Sequence, residues 1–147
     1  MIEFVLIFNG QSEIRLLKWY KVLLAAEQAA TIQLAIRTVK LHASLSNGII
    51  DWDRGSLILR QYADLTIVFA VENSDNKLLA HEMIHFFATC LDRYFGGVSE
   101  LDLIFNYLKA YHVLDEIILN GRFCEASTKA IVKASTAHDQ FELANIN

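Results

Sequence analysis

Proline is absent from all 147 residues, and only two cysteines and six glycines occur. With no proline-rich tract, no low-complexity segment and no internal repeat, nothing marks a linker, and one domain spanning residues 1–147 is expected. Cys90 and Cys124 are too few to staple a small fold and fit a reducing compartment. The glycines form no phosphate loop, since neither G-x-x-x-x-G-K-[ST] nor G-x-G-x-x-G occurs. A net charge of −4 leaves no electrostatic footprint for nucleic acid. No apolar run reaches the ~18 residues of a membrane span. Met1 to Asn9 is apolar but carries Glu3 and no basic leader, so it is expected to belong to the fold and not to a signal peptide.

Charge is also scarce. Charged residues are 20% of the chain, against ~25% in ordinary soluble domains, and hydrophobic residues are 54%. A domain of this size has much surface per unit volume. The excess of grease goes either into a rich core or onto a surface that another protein covers.

The order of apolar runs predicts the architecture. Ile2 to Phe8 is almost continuously apolar, as in a strand buried on both faces. Asn9-Gly10 signals a reverse turn, and Ile14 to Tyr20 returns. Ala25 to Lys40 shifts to helix formers, and Ser44 to Gly48 reads as a loop. Ile49–Trp52, Leu57–Tyr62 and Leu65–Val71 follow as strands. Their short breaks, Asp53-Arg54-Gly55 and Ala63-Asp64, require antiparallel hairpins. Asp75 or Asn76 can cap a helix from Lys77 to Phe95, ended by Gly96-Gly97. Ser99 and Asp102 form a capping-box pair for a further helix to about Leu119, stopped by Asn120-Gly121. Ser127 can cap a last short helix, and the tail beyond about residue 137 is expected to fray. The class is α+β, an antiparallel sheet covered by helices.

His81-Glu82-Met83-Ile84-His85 matches H-E-x-x-H. On a helix the two imidazoles share one face one turn apart, where they can ligate Zn²⁺ beside a general-base glutamate, the arrangement of a zinc-dependent peptidase. A catalytic zinc needs a third protein ligand. No third histidine follows in the extended spacing, and only the distant Glu100 and Glu116 remain. The competing reading is an ordinary packed helix with His81 exposed and His85 packed or hydrogen-bonded. Cys90 reads as a small buried hydrophobe. Asp51, Asp53 and Asp64 read as turn residues.

Several segments together resemble a known family. Leu57-Ile58-Leu59-Arg60-Gln61-Tyr62-Ala63-Asp64-Leu65 resembles the basic-Tyr-Ala-x-Leu strand turn of the small (sigma) subunit of heterotetrameric clathrin-associated adaptor complexes. Arg15-Leu16-Leu17-Lys18-Trp19-Tyr20 is similar to that family's second strand. The most specific stretch runs from Leu91-Asp92-Arg93-Tyr94-Phe95-Gly96-Gly97-Val98-Ser99-Glu100-Leu101-Asp102 to Asn106, and continues through Val113-Leu114-Asp115-Glu116 to Asn120-Gly121. The resemblance covers residues 1 to about 135 without an obvious insertion.

The resemblance implies a longin-like fold, five antiparallel strands flanked by helices, with no catalysis and no cofactor. It implies an obligate subunit seated against a large adaptin chain, in a complex with a medium and a second large chain. Clathrin and membrane would be reached only through that complex, and no nucleic acid is bound. The setting implied is cytoplasmic, peripheral on trans-Golgi, endosomal or plasma-membrane clathrin-coated vesicles. Phe95-Gly96-Gly97-Val98 and Lys109-Ala110-Tyr111 lean toward the first two. The family also helps bind acidic dileucine sorting signals in cargo tails. Carried over by position, Ala63, Leu65, Ala88, Val98 and Leu103 would line two leucine slots, and Arg15 would face the signal's acidic residue. Two positions depart from the pattern. Ala88 is smaller than the expected branched residue, and Gly97 replaces a residue that is often polar and could bond the peptide backbone. Another longin-type trafficking protein, a tether or SNARE regulatory domain, is the remaining relative; no SNARE-like heptads or membrane anchor follow.

Overall fold

The computed structural model describes residues 1–42 and 47–124. The first hairpin is β1 (Ile2–Asn9) with β2 (Ile14–Trp19). Helix α1 (Ala25–Leu41) crosses to the opposite edge, where β3 (Asn47–Trp52), β4 (Gly55–Tyr62) and β5 (Leu65–Val71) form a meander. The sheet order is β2-β1-β5-β4-β3, antiparallel throughout. Thus β1 and β5 are central, which accounts for their nearly unbroken apolar runs: both faces of each are covered.

The period-2 alternation of strand side chains sorts the core into two layers. Phe4, Leu6 and Phe8 of β1, Leu57 and Leu59 of β4, and Val68 and Ala70 of β5 pack against Ile32, Ala35 and Val39 of α1. Val5, Ile7, Ile58, Ile67 and Phe69 point the other way. They meet α2 (Lys77–Phe95) through Met83, Ile84, Phe87 and Leu91, and α4 (Tyr107–Ile117) through Ala110, Val113, Leu114 and Ile117.

Local chemistry sets several boundaries. Asn76 caps α2 by accepting from the Leu79 amide at 3.1 Å. Gly96, at φ 66°, takes the left-handed residue that ends the helix. Ser99 and Asp102 form the expected capping box at the start of α3 (Glu100–Phe105). Gly55 has φ 140°, and a Cβ there would sit 2.2 Å from the Val71 carbonyl oxygen, so only glycine fits.

The structure corrects four expectations. The helix after Ser99 is broken at Asn106 (φ −125°, ψ 38°), an amide that competes with helical backbone bonding. Its second half stops at Ile117, and residues to Phe123 form a small hairpin, β6 (Ile118–Leu119) with β7 (Arg122–Phe123). Asn120 (φ 52°) and Gly121 (φ 80°) make the turn of that hairpin and are not a helix stop. Asn47 and Gly48 belong to β3, not to a loop. The expected last helix at Ser127 and the tail lie outside the described residues, as do residues 43–46.

Candidate functional site

The residues carried over as leucine slots come from four elements. Leu65 opens β5, Ala88 is on α2, Val98 precedes the Ser99 cap, and Leu103 is on α3. The fold brings these four into one apolar cluster beneath the α2 face, at 4%, 4%, 9% and 1% exposure. They are packed core here, with Val98 at the rim. Ala63 stands apart, exposed at the tip of the β4–β5 hairpin in a left-handed conformation (φ 52°). Gly97 is also exposed, at φ 103°, with open space where a Cβ would project.

The segment bearing Gly97 and Val98 is held from two sides. The Asp92 carbonyl accepts from the Gly97 amide at 2.8 Å, and the Asp92 carboxylate accepts from the Val98 amide at 3.3 Å. The same carboxylate accepts from the Tyr62 hydroxyl at the end of β4. That bond favours the protonated phenol and raises the Tyr62 pKa above its ordinary value. The hairpin tip and the end of α2 are thereby clamped together.

Arg15 lies at the start of β2, in a cleft of about 470 Å³ lined also by Asn9, Glu13, Asp64, Glu100 and Ile104. Its Nε donates to Glu100 Oε1 at 2.7 Å, and its Nη2 donates to Glu13 Oε2 at 3.1 Å. The buried Asn9 donates to the same Glu100 oxygen at 2.7 Å. The bonds from Arg15 and then Asn9 stabilise the charged carboxylate and hold the Glu100 pKa below its ordinary value. Asn9 pairs with Leu65 across the β1–β5 ladder, so the cleft and the apolar cluster adjoin.

Three of these residues were not legible as site residues. Glu100 stood in the sequence as a remote zinc candidate, and it is the partner of Arg15. Asn9 carried only a turn signal. Its side-chain oxygen accepts from the Gln11 and Glu13 amides (3.0 and 2.9 Å), shaping the β1–β2 loop. Glu13 carried no signal at all. A fourth contact belongs to α4, where the Tyr111 hydroxyl accepts from the Leu17 amide at 3.1 Å and donates to the Leu17 carbonyl at 2.8 Å, standing in for a strand neighbour at the sheet edge.

The H-E-x-x-H segment lies on α2 as its spacing required, with exposures the reverse of those expected. His85 is exposed and His81 half-buried. The flank that His85 does bury, together with Arg60 of β4, holds its pKa below the ordinary histidine range. Among the described residues no group of three His, Cys, Asp or Glu side chains is placed to hold a metal ion, and no helix is long and apolar enough to cross a membrane.

Comparison with known proteins gives one consistent result. The model of the family described as clathrin adaptor complex small chain matches residues 1–142. The AP-1 complex subunit sigma-3 of Mus musculus is 42% identical over 142 residues, spanning 97% of this chain and 92% of that one. The AP-1 complex subunit sigma-1 of Arabidopsis thaliana is 36% identical over 140 residues, spanning 95% and 87%. A chain in a homology model of the full-length AP-3 complex, in a stretched open conformation, superposes with a TM-score of 0.67 at 26% identity, covering 99% and 97%.

Proposed function

This chain belongs to the clathrin adaptor complex small-chain family, and from that premise we propose that it helps an adaptor complex capture acidic dileucine sorting signals on membrane cargo during vesicle transport. It is a structural subunit of a multi-subunit adaptor complex and not an enzyme. The finer reading makes a large adaptin chain its direct partner, with medium and second large chains completing the complex. Clathrin and the membrane surface of trans-Golgi, endosomal or plasma-membrane vesicles are contacted through that assembly.

The single observation that supports signal binding is the adjacency of an apolar cluster and a cationic side chain. Leu65, Ala88, Val98 and Leu103 gather within reach of a cleft that holds Arg15. Two signal leucines buried there contribute about 1.5–3 kcal/mol each before ordering costs are subtracted. The balance suits weak, reversible capture. Because the four residues fill one another's space, leucine entry requires the rim residue Val98 to yield. The clamp from Tyr62 through Asp92 to the Val98 amide fixes where that rim lies. Once that space opens, the small Ala88 would leave part of it unfilled around a leucine, with fewer dispersion contacts.

Peptide binding to the assembled complex tests this. Arg15→Glu and Val98→Ser should each weaken an acidic dileucine peptide while the complex still assembles. Unchanged affinity in both variants would remove the site. A direct large-chain partner is tested separately by copurification, and a stable lone chain that ignores that partner would count against it.

A further inference from the structure

Arg15 is already engaged in this structure, and its two partners are unequal. Glu100 is fixed, receiving two bonds of 2.7 Å on one oxygen, from Asn9 and from Arg15 Nε, on the first residue of α3. Glu13 is loosely held. It sits in the β1–β2 loop with its side chain 50% exposed, against 33% for Glu100. It meets Arg15 at 3.1 Å and receives a long 3.4 Å bond from Asn9. Asp64 adds a third carboxylate to the wall of the same cleft. Two carboxylates therefore hold one guanidinium and a third lines its cleft, so a further one brought by a ligand would be repelled unless one of them leaves.

We propose that Glu13 is an internal competitor at this site: its carboxylate occupies the outer side of the Arg15 guanidinium, and an acidic signal binds by displacing it. The proposal rests on the signal-binding reading above and makes Glu13 a specificity-determining residue. Glu100 orients Arg15 from within and is retained on binding, since removing it would orphan Asn9 as well. Glu13 swings out at little cost, because its loop backbone is shaped by Asn9 Oδ1 and not by its own side chain. Capture is then an exchange of carboxylates with little net gain. The two leucines carry the affinity, and the acidic position contributes less than the bare charge of Arg15 would supply.

The test uses the assembled adaptor complex carrying this subunit, and fluorescence anisotropy with three peptides: a dileucine peptide with glutamate at the acidic position, its glutamine counterpart, and a control with both leucines changed to serine. Glu13→Gln should tighten the glutamate peptide about two- to fivefold, the scale of one partly exposed charge pair, and leave the glutamine peptide nearly unchanged. Adding Arg15→Gln to Glu13→Gln should erase that gain. An equal tightening of both peptides would overturn the exchange, as would no gain or a loss for the glutamate peptide while leucine dependence persists. If no variant distinguishes the leucine peptides from the serine control, the signal-binding reading itself fails and the competitor falls with it. Glu13 is half-exposed, so folding is not at stake in the single variant.

Discussion

The two faces of the sheet are built to different standards. On one, α2 carries a side-chain cap at Asn76 and a left-handed stop at Gly96, and buries Ala80, Met83, Ile84, Phe87, Ala88 and Leu91. Helices α3 and α4 complete that layer. On the other, α1 lies alone. Its first cap position is Leu24, which offers no side-chain acceptor, and only Thr31, Ile32, Ala35 and Val39 are buried. Leu24 and Leu41, at its two ends, are 72% and 79% exposed. A groove of about 920 Å³ runs between α1 and β2, lined by Leu17, Trp19, Ile32 and Ile36. The indole N–H groups of Trp19 and Trp52 are buried on this side with no acceptor among the described residues. Each such orphan costs about 1–3 kcal/mol. One face is a finished core. The other has the composition of a core without its closure, and the surplus of apolar residues noted in the sequence reaches the surface both there and on the outer side of α3 and α4, where Leu101, Phe105 and Leu108 are 62%, 75% and 69% exposed.

Truncations in the two layers separate them most strongly. Phe87→Ala removes a fully buried ring 5.9 Å from Phe69 and should cost about 3–5 kcal/mol in chemical denaturation. Ile32→Ala, under the loosely seated α1, should cost only about 2 kcal/mol, the low end for such a truncation. Equal losses would break the comparison. The caps give the next largest contrast. Asn76→Ala should cost about 1 kcal/mol, whereas Leu24→Ser, which supplies a missing acceptor, should gain about 0.5–1 kcal/mol. Hydrogen exchange sharpens the point without mutation: amides of α1 should exchange before those of α2, and the reverse order would mean that α1 is the better anchored helix.

The smallest effect is electrostatic and belongs to the finished face. The Glu100 pKa is depressed by Arg15 and Asn9. Its stabilising contribution is therefore fully present above the unfolded-state pKa of ~4.3 and is lost as the pH falls through the lower folded value. Wild type should exceed Glu100→Gln in stability at neutral pH, and the gap should close in acid. A gap that persists below that range would mean that the glutamate acts through packing and not through charge.

Much of this fold was legible because strand and helix periods are local. The runs Ile2–Phe8 and Leu65–Val71, the Asn76 cap, the Ser99–Asp102 box and the Gly96 stop all follow from neighbouring residues. The three Asn-Gly pairs show where such reading fails. At 9–10 the pair opens a longer loop, Gly10 is not left-handed, and the positive φ falls on Ser12. At 47–48 it lies inside β3. Only at 120–121 does it make a tight hairpin turn, where a Cβ on Gly121 would meet Met1 Cγ at 2.6 Å and the Ile2 carbonyl oxygen at 2.9 Å. The dipeptide permits a turn, and the strands that flank it decide whether one forms.

The sequence by itself determined the order of elements from β1 to α2 and the family, because each is written in local periodicity or in contiguous motifs. Only the tertiary structure decided that Leu65, Ala88, Val98 and Leu103 share one buried cluster, and that Glu100 and Glu13 both bond Arg15. Those facts join residues as much as 85 positions apart. Such partnerships are set by how sheet and helices stack, and no local pattern in the chain encodes them.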